Sequence, residues 1–196
     1  MRTRARLLDA AMDLIAECGE EGVTLRELTD AAEANVAAVS YHFGSLKSLC
    51  AASIEQALER YLDAQQEAIN TLGAEPTLDE LAAAFARPMM RALATGGREL
   101  AGMRIVARAG IDPPQDWDRF DAKFDEIRAD VLRALKGSIP EVKDQELILR
   151  TRCVAGMLNW LALAPVGAEL RNKSEKQLER LLVPVIAGAF RGASSG

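Results

Sequence analysis

A chain of 196 residues, 49% of them hydrophobic and 27% charged, is long enough to bury a real core as one large domain or two small ones. Its net charge of −5 excludes a generally basic surface, so non-specific binding to nucleic acid should be weak at physiological salt. No run of 18 or more apolar residues occurs, so no membrane span is expected; widely spaced Cys18, Cys50 and Cys153 with a single histidine argue for buried thiols in a cytoplasmic chain, against a disulfide framework or a zinc site.

The N-terminal 22 residues carry arginines but also acids within their apolar stretch and no cleavage-like site, which reads as a helix rather than a signal peptide. The spacing predicts a helix over 3–18 with Leu7, Leu8, Ala11, Leu14 and Ile15 on one face, ended by Gly19 and Gly22. Arg2, Arg4 and Arg6 crowd its start. They are either phosphate contacts or the solvated beginning of a helix. The first fifty residues hold five cationic side chains against eight acidic ones, so the placement of charge, not its sum, would have to serve a polyanion.

Thr24 followed by Glu27 is a capping box, so a second, two-turn helix should begin there with Leu25, Leu28, Ala31 and Ala32 facing inward. Its pattern breaks at Glu33-Ala34-Asn35. Asn35 can cap a third helix over 36–42, with Val36, Val39 and Phe43 inward and Phe43 packing back onto the first helix. Two short helices joined by a tight turn form a helix-turn-helix unit, whose second helix is sized for a DNA major groove.

The stretch 24–49, with its Thr-capped helix, short turn and Tyr41-His42-Phe43 followed by Ser45 and Lys47, resembles the DNA-binding segment of TetR-type transcriptional regulators. Two positions depart from the family pattern. The turn glycine is Glu33, and a left-handed conformation costs a non-glycine residue about 1–2 kcal/mol. The lysine after Phe-x-Ser is displaced by one residue, with Leu46 in its place and Lys47 next, a rotation of about 100° around a helix. The resemblance implies phosphate contacts from Thr24, Arg26, Tyr41, His42 and Lys47, and contacts to base edges or thymine methyl groups from Ala37, Ala38 and Ser40.

Ser45 is placed to cap a long fourth helix over 46–71, carrying Leu49, Ala52, Ile54, Ala57, Leu58, Tyr61 and Leu62 and leaving no flexible linker before the rest of the chain. Thr77 then caps a helix whose interior Pro88 should kink or split it. Helices follow over 98–109, from Pro113/Pro114 to 135, over 143–163 and over 174–191, with a break at 137–140 and a disordered tail at 193–196.

The middle helices carry Phe85, Met89, Met103, Trp117, Phe120 and Phe124, with Arg104 and Arg108 four residues apart. This set reads either as core or as the lining of a cavity for a mostly apolar molecule whose carboxylate an arginine could meet. The stretch 97–109, Asp112-Pro113 and 154–158 are loosely similar to the C-terminal domains of fatty-acid-responsive repressors within the same family, which implies a lipid-like effector. The last two helices are apolar on more than one face, through Val154, Met157, Leu158 and Leu161 and through Leu178, Leu182, Val185 and Ile186. Either the monomer buries these residues, or they form a four-helix bundle with a second copy, as the resembling family does.

The expectation is therefore an all-α protein of about nine helices: a helix-turn-helix domain at 1–46 and a helical effector-binding and dimerisation domain at 47–192. The resemblance implies a homodimer that binds a palindromic double-stranded DNA operator and is released by a small, mostly apolar effector, with no cofactor. An enzyme is poorly supported, since the only histidine lies in the presumed DNA-reading helix. The competing reading is a protein-interaction module of the same fold that has lost DNA binding, prompted by Glu33, Leu46 and the acidic balance.

Overall fold

The computed structural model describes residues 2–113, 118–164 and 167–192, and all regular structure among them is helical. The helices are α1 (Arg2–Cys18), α2 (Leu25–Ala31), α3 (Val36–Phe43), α4 (Leu46–Asn70), α5 (Leu78–Thr95), α6 (Gly97–Ala109), α7 (Asp118–Ser138), α8 (Asp144–Leu163), a single turn α9 (Gly167–Leu170) and α10 (Glu175–Arg191), with a 3-10 turn at Glu20–Gly22. Trp117, Pro114 and the tail 193–196 lie outside the described residues.

The side-chain caps fall where the sequence places them. Thr24 Oγ1 accepts from the Glu27 N–H at 3.2 Å while the Glu27 carboxylate accepts from the Thr24 N–H at 3.3 Å. Asn35 Oδ1 accepts from the Ala38 N–H at 2.8 Å, and Ser45 Oγ from the Ser48 N–H at 3.0 Å. Each such cap contributes about 1 kcal/mol and fixes the residue at which its helix begins. Thr77 and Glu80 form a second capping box at the start of α5, and the Thr77 N–H holds the Glu80 carboxyl below its ordinary range.

Pro88 does not split its helix; α5 runs unbroken from Leu78 to Thr95. Proline has no N–H to return to the carbonyl four residues back, here that of Ala84. Gln65 of α4 supplies the missing donor: its Nε2 points at the Ala84 carbonyl oxygen, 3.4 Å away, and the residue is only 2% exposed. We expect Gln65→Leu to cost about 1–3 kcal/mol by leaving that buried carbonyl unpaired. In a Pro88→Ala background, where the backbone N–H returns, the same change should cost much less, and urea unfolding of the four proteins measures the difference.

A single buried cluster runs from Leu7 to Phe190. Within it α1 packs on both α4 and α6, α4 also on α5 and α7, and α10 on α5 and α8. Phe190 meets Phe85 edge-to-face at 5.8 Å, and Arg150 secures the end of α10 by donating to the Phe190 carbonyl at 2.6 Å. Gly192 follows at φ 72°, where a Cβ would collide with that guanidinium. The helices of the N-terminal unit thus share one core with the rest, and displacement of α4 or α6 reaches α1 directly.

Four expectations are corrected. Ala31 is exposed and Thr29 is buried instead, because its hydroxyl can return to the carbonyls of Leu25 and Arg26 at 2.9 and 3.0 Å. Val36 is 51% exposed, the first turn of α3 projecting beyond the core that Val39 enters. The helix expected to end at 135 continues to Ser138, and its described part begins at Asp118. Of the cysteines only Cys50 is buried, and burial pushes its thiol up to about 11; Cys18 and Cys153 are exposed.

Candidate functional site

The outer surface of α3 is a row formed by Val36, Ala37, Ser40 and Tyr41, all exposed, with Ala38 and His42 half-buried at its flank. These positions recur at i, i+1, i+4 and i+5, one face of a helix. Tyr41 is 85% exposed and rests edge-on against His42, ring centroids 4.9 Å apart. Val39 faces the core, and Phe43 is half-buried against it with the Arg4 guanidinium 5.1 Å over its ring. The row therefore projects from a helix anchored on its opposite side. Sequence periodicity missed Val36, since a valine three residues before Val39 and seven before Phe43 falls on the face read as core.

Charge around this row is sparse. Lys47 is exposed in the first turn of α4 and Arg2 at the start of α1, neither with a carboxylate partner among the described residues. Leu46 takes the half-buried position against the core, which is why the lysine stands one place later. Arg26 pairs loosely with Asp30 at 3.9 Å. Glu33 has φ 48°, the one non-glycine residue with positive φ among the described residues; Arg6 reaches its carboxylate at 3.5 Å and its carbonyl at 3.3 Å.

The aromatic and arginine residues of the middle helices do not converge on one chamber. A cavity of about 480 Å³ lies between α1, α4, α5 and α6, lined by Met12, Ala57, Arg60, Tyr61, Ala64, Pro88, Arg91, Ala92, Arg98, Glu99, Gly102 and Met103. A smaller one of about 190 Å³ lies between α4, α5, α7 and α8 and includes Gln65, Phe85 and Phe124. Tyr61 borders both, its ring 6.3 Å from that of Phe124, and burial pushes its hydroxyl up to about 12. Met89 and Phe120 are buried and line neither cavity. Arg104 donates to the Ala162 carbonyl in the last turn of α8 at 3.2 Å, and Arg108 to the Glu17 carbonyl at the end of α1 at 3.3 Å; neither lines the two cavities above, and Arg108 borders a separate one of about 440 Å³ between α1 and α6.

The apolar residues of α8 and α10 divide in two. Val154, Leu158, Leu161, Leu178, Leu182 and Ile186, anticipated at an interface, are buried in the chain's own core, which leaves them little surface for a second copy. Met157 is half-buried and Val185 exposed. The exposed apolar side chains form a different stripe: Leu149, Cys153, Gly156 and Trp160 along α8, and Leu181, Val185 and Gly188 along α10. Their spacing of four, three and four residues follows one helical face. A Cβ at Gly156 or Gly188 would meet nothing within 4 Å, so the protomer itself does not require either glycine.

Among the described residues no group of three or more His, Cys, Asp or Glu side chains could hold a metal ion, and no helix is long and apolar enough to cross a membrane. Residues 7–52 match the family model for bacterial regulatory proteins of the tetR family, and residues 83–189 match that for the tetracyclin repressor-like C-terminal domain. No curated protein gives a significant sequence match. Among solved structures, the chain shares its fold with a TetR-like transcriptional regulator from Rhodococcus sp. RHA1 (18% identity, 97% of each chain, TM-score 0.72). The regulator PfmR from Thermus thermophilus is similar over 98% of each chain at 20% identity and TM-score 0.66. FadR from Bacillus subtilis, solved in complex with stearoyl-CoA, is similar at 15% identity over 94% of this chain and 98% of that one, with TM-score 0.55.

Proposed function

The chain belongs to the bacterial tetR family of regulatory proteins, whose members are DNA-binding transcription factors and not enzymes, and on that premise we propose that it is a homodimeric repressor released from its operator by a small amphipathic effector. The observation that carries the reading is the row Val36, Ala37, Ser40 and Tyr41 on a helix anchored by Val39 and Phe43. Small apolar side chains there suit thymine methyl groups, Ser40 can pair with a base edge, and the reading assigns phosphate contacts to Tyr41, His42, Thr24, Arg26 and Lys47. With so little hydrogen-bonding capacity toward bases, recognition leans on DNA shape. A DNA target puts the protein in the cytoplasm.

The two copies meet, in this reading, through the exposed stripes of α8 and α10, where Gly156 and Gly188 let helices approach closely. Two recognition helices related by the dimer axis reach successive major grooves about 34–36 Å apart. Footprinting on DNA selected from genomic fragments should show a near-palindrome protected on both half-sites. Protection of a single half-site, or none, would count against the dimeric repressor.

The effector enters the cavity between α1, α4, α5 and α6 and favours a form whose recognition helices no longer match the groove spacing. FadR of Bacillus subtilis, with its stearoyl-CoA, supports an effector with a long apolar part. DNA and effector then weaken each other by the same factor.

The alternative, an interaction module that has lost DNA binding, is favoured by Glu33, which holds Arg6 beside the recognition unit. Glu33→Gly tests this. Relief of the left-handed strain, about 1–2 kcal/mol, is largely offset by the entropy of glycine and the loss of an exposed ion pair, so stability should change by less than about 1 kcal/mol. Operator affinity should nevertheless rise, because an acid leaves the DNA-facing side and Arg6 is freed. No rise in a titration of operator DNA would favour the module.

A further inference from the structure

We infer that the 480 Å³ cavity takes an amphipathic anion whose head group draws Arg98 away from Asp9 and so loosens α1 of the DNA-binding unit. This rests on the regulator reading and adds to it the ligand class and the coupling contact. The cavity wall is apolar over most of its extent, but three guanidinium groups, Arg60, Arg91 and Arg98, stand around it against one carboxylate, Glu99. Glu99 is 3.6 Å from Arg91. Arg60 has no carboxylate partner among the described residues. At about 30 Å³ per water-sized group there is room for a body on the order of ten to fifteen non-hydrogen atoms.

Arg98 does a second job. Its Nη2 lies 3.0 Å from Asp9 Oδ2, joining α6 to α1, and Met12 of α1 is itself part of the cavity wall. Asp9, Asp13 and Glu17 follow one another at i, i+4 and i+8 on α1, where like charges repel. Burial raises the Asp13 carboxyl, Arg98 acts against that rise, and Asp9 and Glu17 add to it. Arg98 is thus the cation that serves this acidic row, and Gly96 and Gly97 at φ 68° and 51° immediately before it form a joint only glycine adopts readily. An anion in the cavity competes with the α1 carboxylates for the same guanidinium; once Arg98 turns to it, the row is left unbalanced against α6.

Isothermal titration of the full chain with decanoate, decanol and decyltrimethylammonium, below their micelle concentrations, tests the ligand class without DNA. Decanoate should bind about tenfold or more tighter than decanol, the cation should bind least, and Arg60→Ala, which removes no hydrogen bond or ion pair among the described residues, should remove much of the difference. Asp9→Asn should tighten decanoate several-fold, because Arg98 no longer has to leave a partner; a purely structural Asp9 would not give that sign. Equal affinity for decanoate and decanol, no binding of either, or unchanged or weaker binding in Asp9→Asn would overturn the inference. Absence of DNA binding with these results intact would overturn the regulator reading alone. Decanoate that binds but leaves operator affinity unchanged would overturn the coupling through Arg98.

Discussion

Replacing Trp160 by aspartate is expected to convert the proposed dimer to a monomer and to weaken operator binding by roughly 10²–10⁴-fold, the factor lost when two linked half-sites become independent. Trp160 is 57% exposed, in line with Leu149, Cys153 and Gly156 on α8, and beside it α10 presents Leu181 and Val185. An indole that large on a protomer surface is best accounted for by a partner that covers it. Since the side chain contributes little to the protomer core, thermal stability measured at concentrations where wild type is already monomeric should change by only about 0.5 kcal/mol. Gly156 reinforces the expectation: a mid-helix glycine costs about 1 kcal/mol relative to alanine, and nothing within the protomer crowds it. Sedimentation velocity decides the point. A variant that stays dimeric, or a monomer that binds DNA as tightly as wild type, would remove the α8/α10 stripe from the account.

Tyr41→Ala should lower operator affinity on the order of 10²-fold or more while leaving the fold intact. A hydrogen bond to a charged phosphate is worth about 1.5–3 kcal/mol, and the dimer loses two. The side chain is 85% exposed and its ring rests only on the edge of His42, so unfolding should be nearly unchanged. Val36→Ala is the companion: loss of a methyl contact should cost less and should depend on whether thymine stands at one position of the half-site. Uniform weakening on all sequences would assign Val36 to shape alone.

The fold was legible because its signals are local. Thr24, Asn35, Ser45 and Thr77 each announce a helix start through a side-chain oxygen, and those starts place the helices within a residue or two. What could not be read is which face of a helix meets which neighbour. Val154 and Leu149 are equally apolar in sequence; only the packing of α8 on α6 and α10 puts the first in the core and the second outside. Pro88 misled for a similar reason, because the donor that replaces its missing N–H comes from Gln65, 23 positions earlier on another helix. Arg104 and Arg108 illustrate the limit for sites: a pair of arginines four apart suggests a carboxylate clamp, yet the two side chains donate to carbonyls at the ends of different helices, and the guanidinium groups around the 480 Å³ cavity come from three different helices.

The central claim, that an acidic chain reads DNA through a few well-placed cations, is tested most directly by operator affinity as a function of salt. With Arg26 and Lys47 of each protomer neutralising phosphates, log K should fall linearly with log salt at a slope of about −3.6, a loss of roughly 10²-fold between 50 and 200 mM. Lys47→Ala should reduce that slope by about two. A flat salt dependence, or a slope that Lys47→Ala leaves unchanged, would mean that these cations do not meet phosphates and that the recognition helix is not seated in a groove.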